Sequence, residues 1–166
     1  GAEATEERFV QLAPGYKILH LATHGRADDK VGDYAFLAFT RISDTLENEL
    51  LFARDIYNLS LNADLVTLSA CETGIGKLLK GEGIVSLARA FAFAGAKSLL
   101  TSLWSVSDVA TSEITSTFYL NLKDGETKDA ALAHSKRSYL GKHPGSASHP
   151  FFWAGLIVIG NMKSLR

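Results

Sequence analysis

Short apolar runs alternate along the chain with stretches in which apolar residues recur every three or four positions. The first run, Tyr16 to Ala22 (YKILHLA), follows the turn pair Pro14-Gly15 and ends at Thr23-His24-Gly25, which predicts a buried strand running into a glycine turn. Residues 33–40 (DYAFLAFT), aromatic with polar ends, predict a second strand, and residues 52–57 (FARDIY) a short helical turn. The run Ala63 to Ser69 (ADLVTLS) reads as a third strand. From Glu82 to Ala94 the apolar residues Ile84, Leu87, Ala88 and Phe91 stand at helical spacing, and Gly95 supplies the C-terminal stop. Beyond it come a strand over 97–104 (KSLLTSLW), helices from Asp108 to about Leu122 and from Thr127 to Leu140, and a last strand, expected to be buried, from Gly155 to Ile159.

Strands that alternate with helices predict an α/β fold, a mostly parallel β-sheet with helices on both faces. At 166 residues with 46% hydrophobic content the chain suits a single domain over 1–166. A formal net charge of -1 sets up no basic field, so nucleic acid is not an expected partner. The longest apolar stretch, FFWAGLIVIG, falls far short of the roughly 20 residues a membrane helix needs, so no membrane partner is expected. A single cysteine, Cys71, cannot form an internal disulfide, which fits a reducing, cytoplasmic setting. The chain starts at Gly1 and its one methionine is Met162, so a piece of a longer protein is expected.

Ligands of such sheets bind outside the carboxyl ends of the strands. His24 stands just past the first strand and Cys71, 47 residues later, just past the third, each closely followed by glycine. A cysteine nucleophile needs a base within reach and N–H groups to hold an oxyanion, and two strand ends can supply both. A lone cysteine is more commonly a small core hydrophobe. Its placement before a glycine turn, with a histidine at a second strand end, favours the nucleophile. His20 and His24 form H-x-x-x-H, but no glutamate follows His20 and the segment reads as a strand, so no metal is expected. His20 reads instead as a packing or supporting residue, and His134, His143 and His149 as surface or loop residues. A phosphate loop fails because Cys71 stands where its first glycine belongs and Leu78 follows Gly76-Lys77. A dinucleotide fingerprint fails at Leu79 and at Ser86, each in the third glycine's place. No cofactor is expected, and Lys77 and Lys80 read as solvated loop charges.

Around these residues the wording LHLATHG (19–25), LSACETG (68–74), GEGIVSLARAFAFAGA (81–96), SLWSVSD (102–108), FY (118–119) and HPFFWAGLIVIG (149–160) closely resembles the CHAT family. The resemblance implies a caspase-like fold of the caspase-gingipain-separase kind and a cysteine endopeptidase with His24 and Cys71 as its dyad. Caspases likewise carry their histidine about 50 residues ahead of the cysteine. It further implies the backbone N–H groups of Gly25 and Cys71 as an oxyanion hole, a protein or peptide substrate, and tetratricopeptide repeats elsewhere in the parent protein, of which this would be the C-terminal part. SLWSVSD is similar to a tryptophan-to-aspartate segment of separases in which the aspartate receives an arginine. That likeness implies Asp108 as a substrate-binding residue, while Trp104 is a candidate pocket wall because it stands so near a strand end. Both residues have structural alternatives, Asp108 as a helix N-cap and Trp104 as core. The competing function is a catalytically silent caspase-like interaction module.

Overall fold

A computed structural model describes residues 3–26, 35–40, 50–69, 82–104 (82–86 as backbone) and 107–165. In chain order its elements are α1 (Glu6–Leu12), β1 (Ile18–Leu21), β2 (Gly25–Arg26), β3 (Phe36–Ala38), β4 (Leu50–Phe52), α2 (Ala53–Ile56), β5 (Leu65–Leu68), α3 (Glu82–Phe93), β6 (Ser98–Ser102), α4 (Asp108–Lys123), α5 (Lys128–Lys142) and β7 (Leu156–Gly160). The main sheet has the order β1-β5-β6-β7. Its first three strands are parallel, with Leu21 beside Leu68 and Thr67 beside Leu100, and β7 runs antiparallel to β6. A small antiparallel sheet, β2-β3-β4, stands apart from it.

Side-chain alternation on the central strands divides the apolar core in two. Val66, Leu68 and Leu99 point to the side of α2 and α3, where Ile56, Leu87 and Phe91 are buried. Leu65, Leu100 and Leu156 point the other way, onto Ile114 and Phe118 of α4 and Leu132 and Tyr139 of α5. Helices therefore cover both faces, and each fully buried side chain of this size contributes roughly 1.5–3 kcal/mol. Every residue of β5 and β6 is buried, including the hydroxyl residues Thr67, Ser98, Thr101 and Ser102 beside the leucines and Val66. The last strand departs from expectation. Only Leu156 of β7 is fully buried, and Ile159 keeps 40% of its surface exposed; among the described residues β7 pairs with β6 alone, at the edge of the sheet.

Helix ends follow local chemistry. Thr5 caps α1 by accepting from the Arg8 N–H, and Glu6 and Glu7 complement the positive end of the helix. After α3 the chain turns at Gly95 with φ of 108°, and a Cβ there would run into the Leu61 carbonyl oxygen. The N-cap of α4 is Ser107, so Asp108 occupies the first turn rather than the cap position. Between α4 and the end of α5, the Glu113 carboxylate accepts from His143 Nε2 at 2.7 Å and from Lys142 Nζ at 3.3 Å.

Those hydrogen bonds, His143 first, hold the Glu113 carboxyl below the ordinary glutamate range. A depressed folded-state pKa contributes stability above the unfolded value, and that contribution is lost as pH falls through the folded value. Glu113 is largely at the surface, so the gain is screened. Urea denaturation should find Glu113→Gln less stable than the parent by about 0.5 kcal/mol at neutral pH, with the gap closed once the carboxylate is protonated in both states.

Candidate active site

The β1 and β5 strands lie side by side and run in the same direction, so their carboxyl ends open at one edge of the sheet. Beyond the last paired residues the two chains stay tied, the Ser69 N–H donating to the Leu21 carbonyl at 3.2 Å. From β1 the chain passes through Thr23 and His24 into β2. The Thr23 hydroxyl donates to the Ala38 carbonyl, and the Ala38 N–H donates to the His24 carbonyl at 2.7 Å, so β3 fixes the backbone of this turn. The His24 side chain is exposed. Gly25 is buried and stands opposite Leu37. Because the flanking Ala38 N–H bonds to His24, the Gly25–Leu37 pair is a non-hydrogen-bonded one, and the Gly25 N–H is not committed to that ladder. Cys71, Lys77 and Lys80 lie outside the described residues. In sequence Cys71 follows Ser69 by two positions.

Next to these strand ends is a cavity of about 400 Å³. Its sheet side is lined by His20, Ala22 and Ser69, and its other side by α4, where Asp108, Ser112, Thr115 and Tyr119 recur every three to four residues down one helix face. Thr111 and Ser116 complete the wall. The lining carries one carboxylate, several hydroxyls and, among the described residues, no lysine or arginine. That composition suits a positively charged, hydrogen-bond-donating group. His20 Nε2 lies 2.7 Å from Ser69 Oγ, and the His20 ring sits 5.7 Å from the Tyr119 ring, tilted by 38°. The Tyr119 hydroxyl donates to Thr67 Oγ1 at 2.7 Å. Removal from water pushes the His20 imidazole below its ordinary value and the Tyr119 phenol above its own, so both favour the neutral form.

Trp104 lies elsewhere. Its Nε1 donates to the Phe151 carbonyl at 2.9 Å and its ring lies against Gly155, where a Cβ would meet ring carbons at 2.7 Å. It joins the end of β6 to the approach of β7 and is not among the residues lining the cavity. His134 contacts Glu126 at 2.8 Å, His143 contacts Glu113, and His149 Nδ1 accepts from the Phe151 N–H at 3.2 Å, so all three hold surface or loop geometry. Among the described residues no three histidine, cysteine or carboxylate side chains gather as they would around a metal ion. Sequence reading passed over Ser69, Thr67 and Tyr119 as site residues. The signal for Tyr119 was its position three helical turns beyond Asp108.

Comparison with known proteins agrees with this architecture. A family model described as "CHAT domain" matches residues 1–161. The chain is also 34% identical to mouse tetratricopeptide repeat protein 28 over 197 aligned positions, covering 100% of this chain and 8% of that protein. To human tetratricopeptide repeat protein 28 it is 34% identical over 121 positions, 73% of this chain and 5% of that protein. It thus spans less than a tenth of the length of these curated relatives. No described helix is long and apolar enough to cross a membrane. With a parallel sheet sandwiched between helices and a family match that runs over all but the last few residues, this chain belongs to the CHAT domain family and has that family's caspase-like fold.

Proposed function

We propose that this domain is a cysteine endopeptidase that hydrolyses protein or peptide substrates through His24 and Cys71. The observation that carries the reading is the register of β1 and β5, which sets Leu21, three residues before His24, against Ser69, two residues before the only cysteine. In the first half-reaction His24 takes the thiol proton and the Cys71 sulfur attacks the scissile carbonyl carbon. Negative charge on the carbonyl oxygen is met by the N–H groups of Gly25 and Cys71, a role supported by the buried position of Gly25 and by its N–H taking no part in the β2–β3 ladder. The carbon–nitrogen bond then breaks, the amine leaves with the proton from His24, and a thioester remains. Water, deprotonated by His24, attacks that thioester and releases the carboxylic acid and the free thiol.

Asp108 would receive a basic side chain preceding the scissile bond, its carboxylate standing at a cavity that holds no competing lysine or arginine among its described lining. Trp104 supports that reading through position alone, by anchoring the end of β6. The name of the relatives supports a parent protein in which tetratricopeptide repeats accompany this domain, which we read as its C-terminal part. A thiol that must stay reduced fits the cytoplasm. The same name favours a second reading, a catalytically silent module that binds partners beside the repeats. A mixed peptide library decides between them. Incubated with the domain and with its full-length parent, and read by mass spectrometry, it should yield defined cleavage products that disappear with Cys71→Ala. An unchanged library with both proteins would favour the silent module.

A further inference from the structure

We propose that His20 and Ser69 are a positioning pair, whose hydrogen bond between the ends of β1 and β5 holds the two chain segments that lead to His24 and Cys71 at a fixed separation. The inference rests on the peptidase reading above and adds to it two residues that do not touch the reacting atoms.

Four observations support it. His20 and Thr67 are direct partners in the β1–β5 ladder, and Ser69 lies two residues beyond Thr67, just past the end of β5, so the His20–Ser69 bond at 2.7 Å reaches diagonally past the end of the ladder. It acts where backbone pairing has come down to the single bond from the Ser69 N–H to the Leu21 carbonyl. The spacing is also apt: His20 precedes His24 by four residues and Ser69 precedes Cys71 by two. Finally, the imidazole is braced. Tyr119 packs its ring against His20 and anchors its own hydroxyl on Thr67, the residue paired with His20, so α4, β1 and β5 meet in one connected set of contacts. A neutral imidazole can bond the Ser69 hydroxyl in either sense, and partial removal of the ring from water favours that neutral form.

This arrangement acts on geometry. Attack of a thiolate requires sulfur, imidazole and carbonyl to be held within a few tenths of an ångström of their productive placement, and small displacements lower rates steeply. A diagonal side-chain bond at the carboxyl ends of β1 and β5 restricts the relative movement of Leu21 and Ser69, from which the chain continues to His24 and to Cys71.

The sole cysteine of the chain makes the test direct, because alkylation by iodoacetamide reports on Cys71 alone. Three variants would be compared with the parent: Ser69→Ala, which removes the hydroxyl; His20→Phe, which keeps a ring against Tyr119 but no hydrogen bond; and His20→Gln, whose amide can still reach Ser69. For each, the alkylation rate as a function of pH, kcat and KM on a cleaved peptide, and the thermal midpoint would be measured. Ser69→Ala and His20→Phe should lower kcat and the neutral-pH alkylation rate by roughly fivefold, the effect of one net side-chain hydrogen bond, with KM unchanged. His20→Gln should recover most of that loss. Unchanged alkylation and kcat in Ser69→Ala would overturn the proposal even if His20→Phe fails to fold. So would a loss that follows the thermal midpoint alone. An electrophilic peptide adduct on Ser69 in a Cys71→Ala background would overturn it too, by making the pair a nucleophile and its base. If the parent's cysteine alkylates no faster than that of the unfolded chain, the peptidase reading itself fails and this inference falls with it.

Discussion

Cys71→Ala is expected to abolish peptide cleavage, and His24→Ala to lower kcat/KM by three orders of magnitude or more. Nucleophile and base work as a unit, so removing either costs nearly as much as removing both. The two substitutions should nevertheless differ in one measurable respect. His24→Ala keeps the thiol, and its alkylation should revert to the profile of an ordinary cysteine with a pKa near about 8.5, whereas the parent should react faster at neutral pH because the imidazole stabilises the thiolate. His24→Ala removes no core side chain, as the His24 side chain is exposed, so its thermal midpoint should stay close to the parent's. Cleavage that survives Cys71→Ala would place the chemistry on another residue.

Asp108→Asn should reduce kcat/KM for substrates with arginine before the scissile bond by tenfold or more, about 1.4 kcal/mol for each factor of ten. Asp108 is exposed and lines a cavity whose described walls bear no other carboxylate and no lysine or arginine, with Ser112 and Thr115 on the same face of α4. Arginine should be preferred over lysine, since a planar guanidinium can pair with both carboxylate oxygens. The structural alternative has lost its main support. Ser107 takes the N-cap position, and Asp108 in the first turn contributes only through the helix dipole, a few tenths of a kcal/mol at an exposed site. Asparagine at this position should therefore leave folding almost unaffected while it removes the charge. Efficient cleavage after leucine or methionine, insensitive to Asp108→Asn, would remove Asp108 from substrate recognition and leave the dyad untouched.

What could be read from the sequence divides along physical lines. The strands β5 and β6 were legible because burial on both faces favours apolar side chains between turn residues, whereas β1, expected to be buried, buries only Leu19 and was legible from its apolar residues and flanking glycine turns. α3, α4 and α5 announced themselves by spacing and by their terminal residues. α1 was missed because none of its residues is fully buried, so no apolar period marks it, and its one signal is the pairing of Thr5 with the acidic first turn. The two- and three-residue strands β2 and β4 are shorter than any period can register, and they exist through pairing with β3. The fully buried last strand was wrong for a related reason. An apolar run such as LIVIG carries no information on whether a second neighbour will cover it. Within the site, His24, Cys71 and Asp108 were named from motif and position, while Ser69, Thr67 and Tyr119 were not. A serine, a threonine and a tyrosine without charge gain meaning only when three elements meet, and that meeting is a property of the packed structure.

The two apolar clusters on opposite faces of the sheet share no side chain, although β5 and β6 contribute to both. Their independence has a bearing on how the molecule opens. With α4 and α5 packed on one another and on one face only, that layer can lift as a unit while the α3 face stays closed. Such an opening would carry Asp108 and Tyr119 away together and dismantle one wall of the cavity, leaving the β1–β5 pairing behind His24 in place. In amide hydrogen exchange, α4 and α5 should therefore share one protection level, below that of β5 and β6. A protein partner that binds across the outer surface of these two helices would raise that level, and it would hold the α4 wall of the cavity in place without touching it.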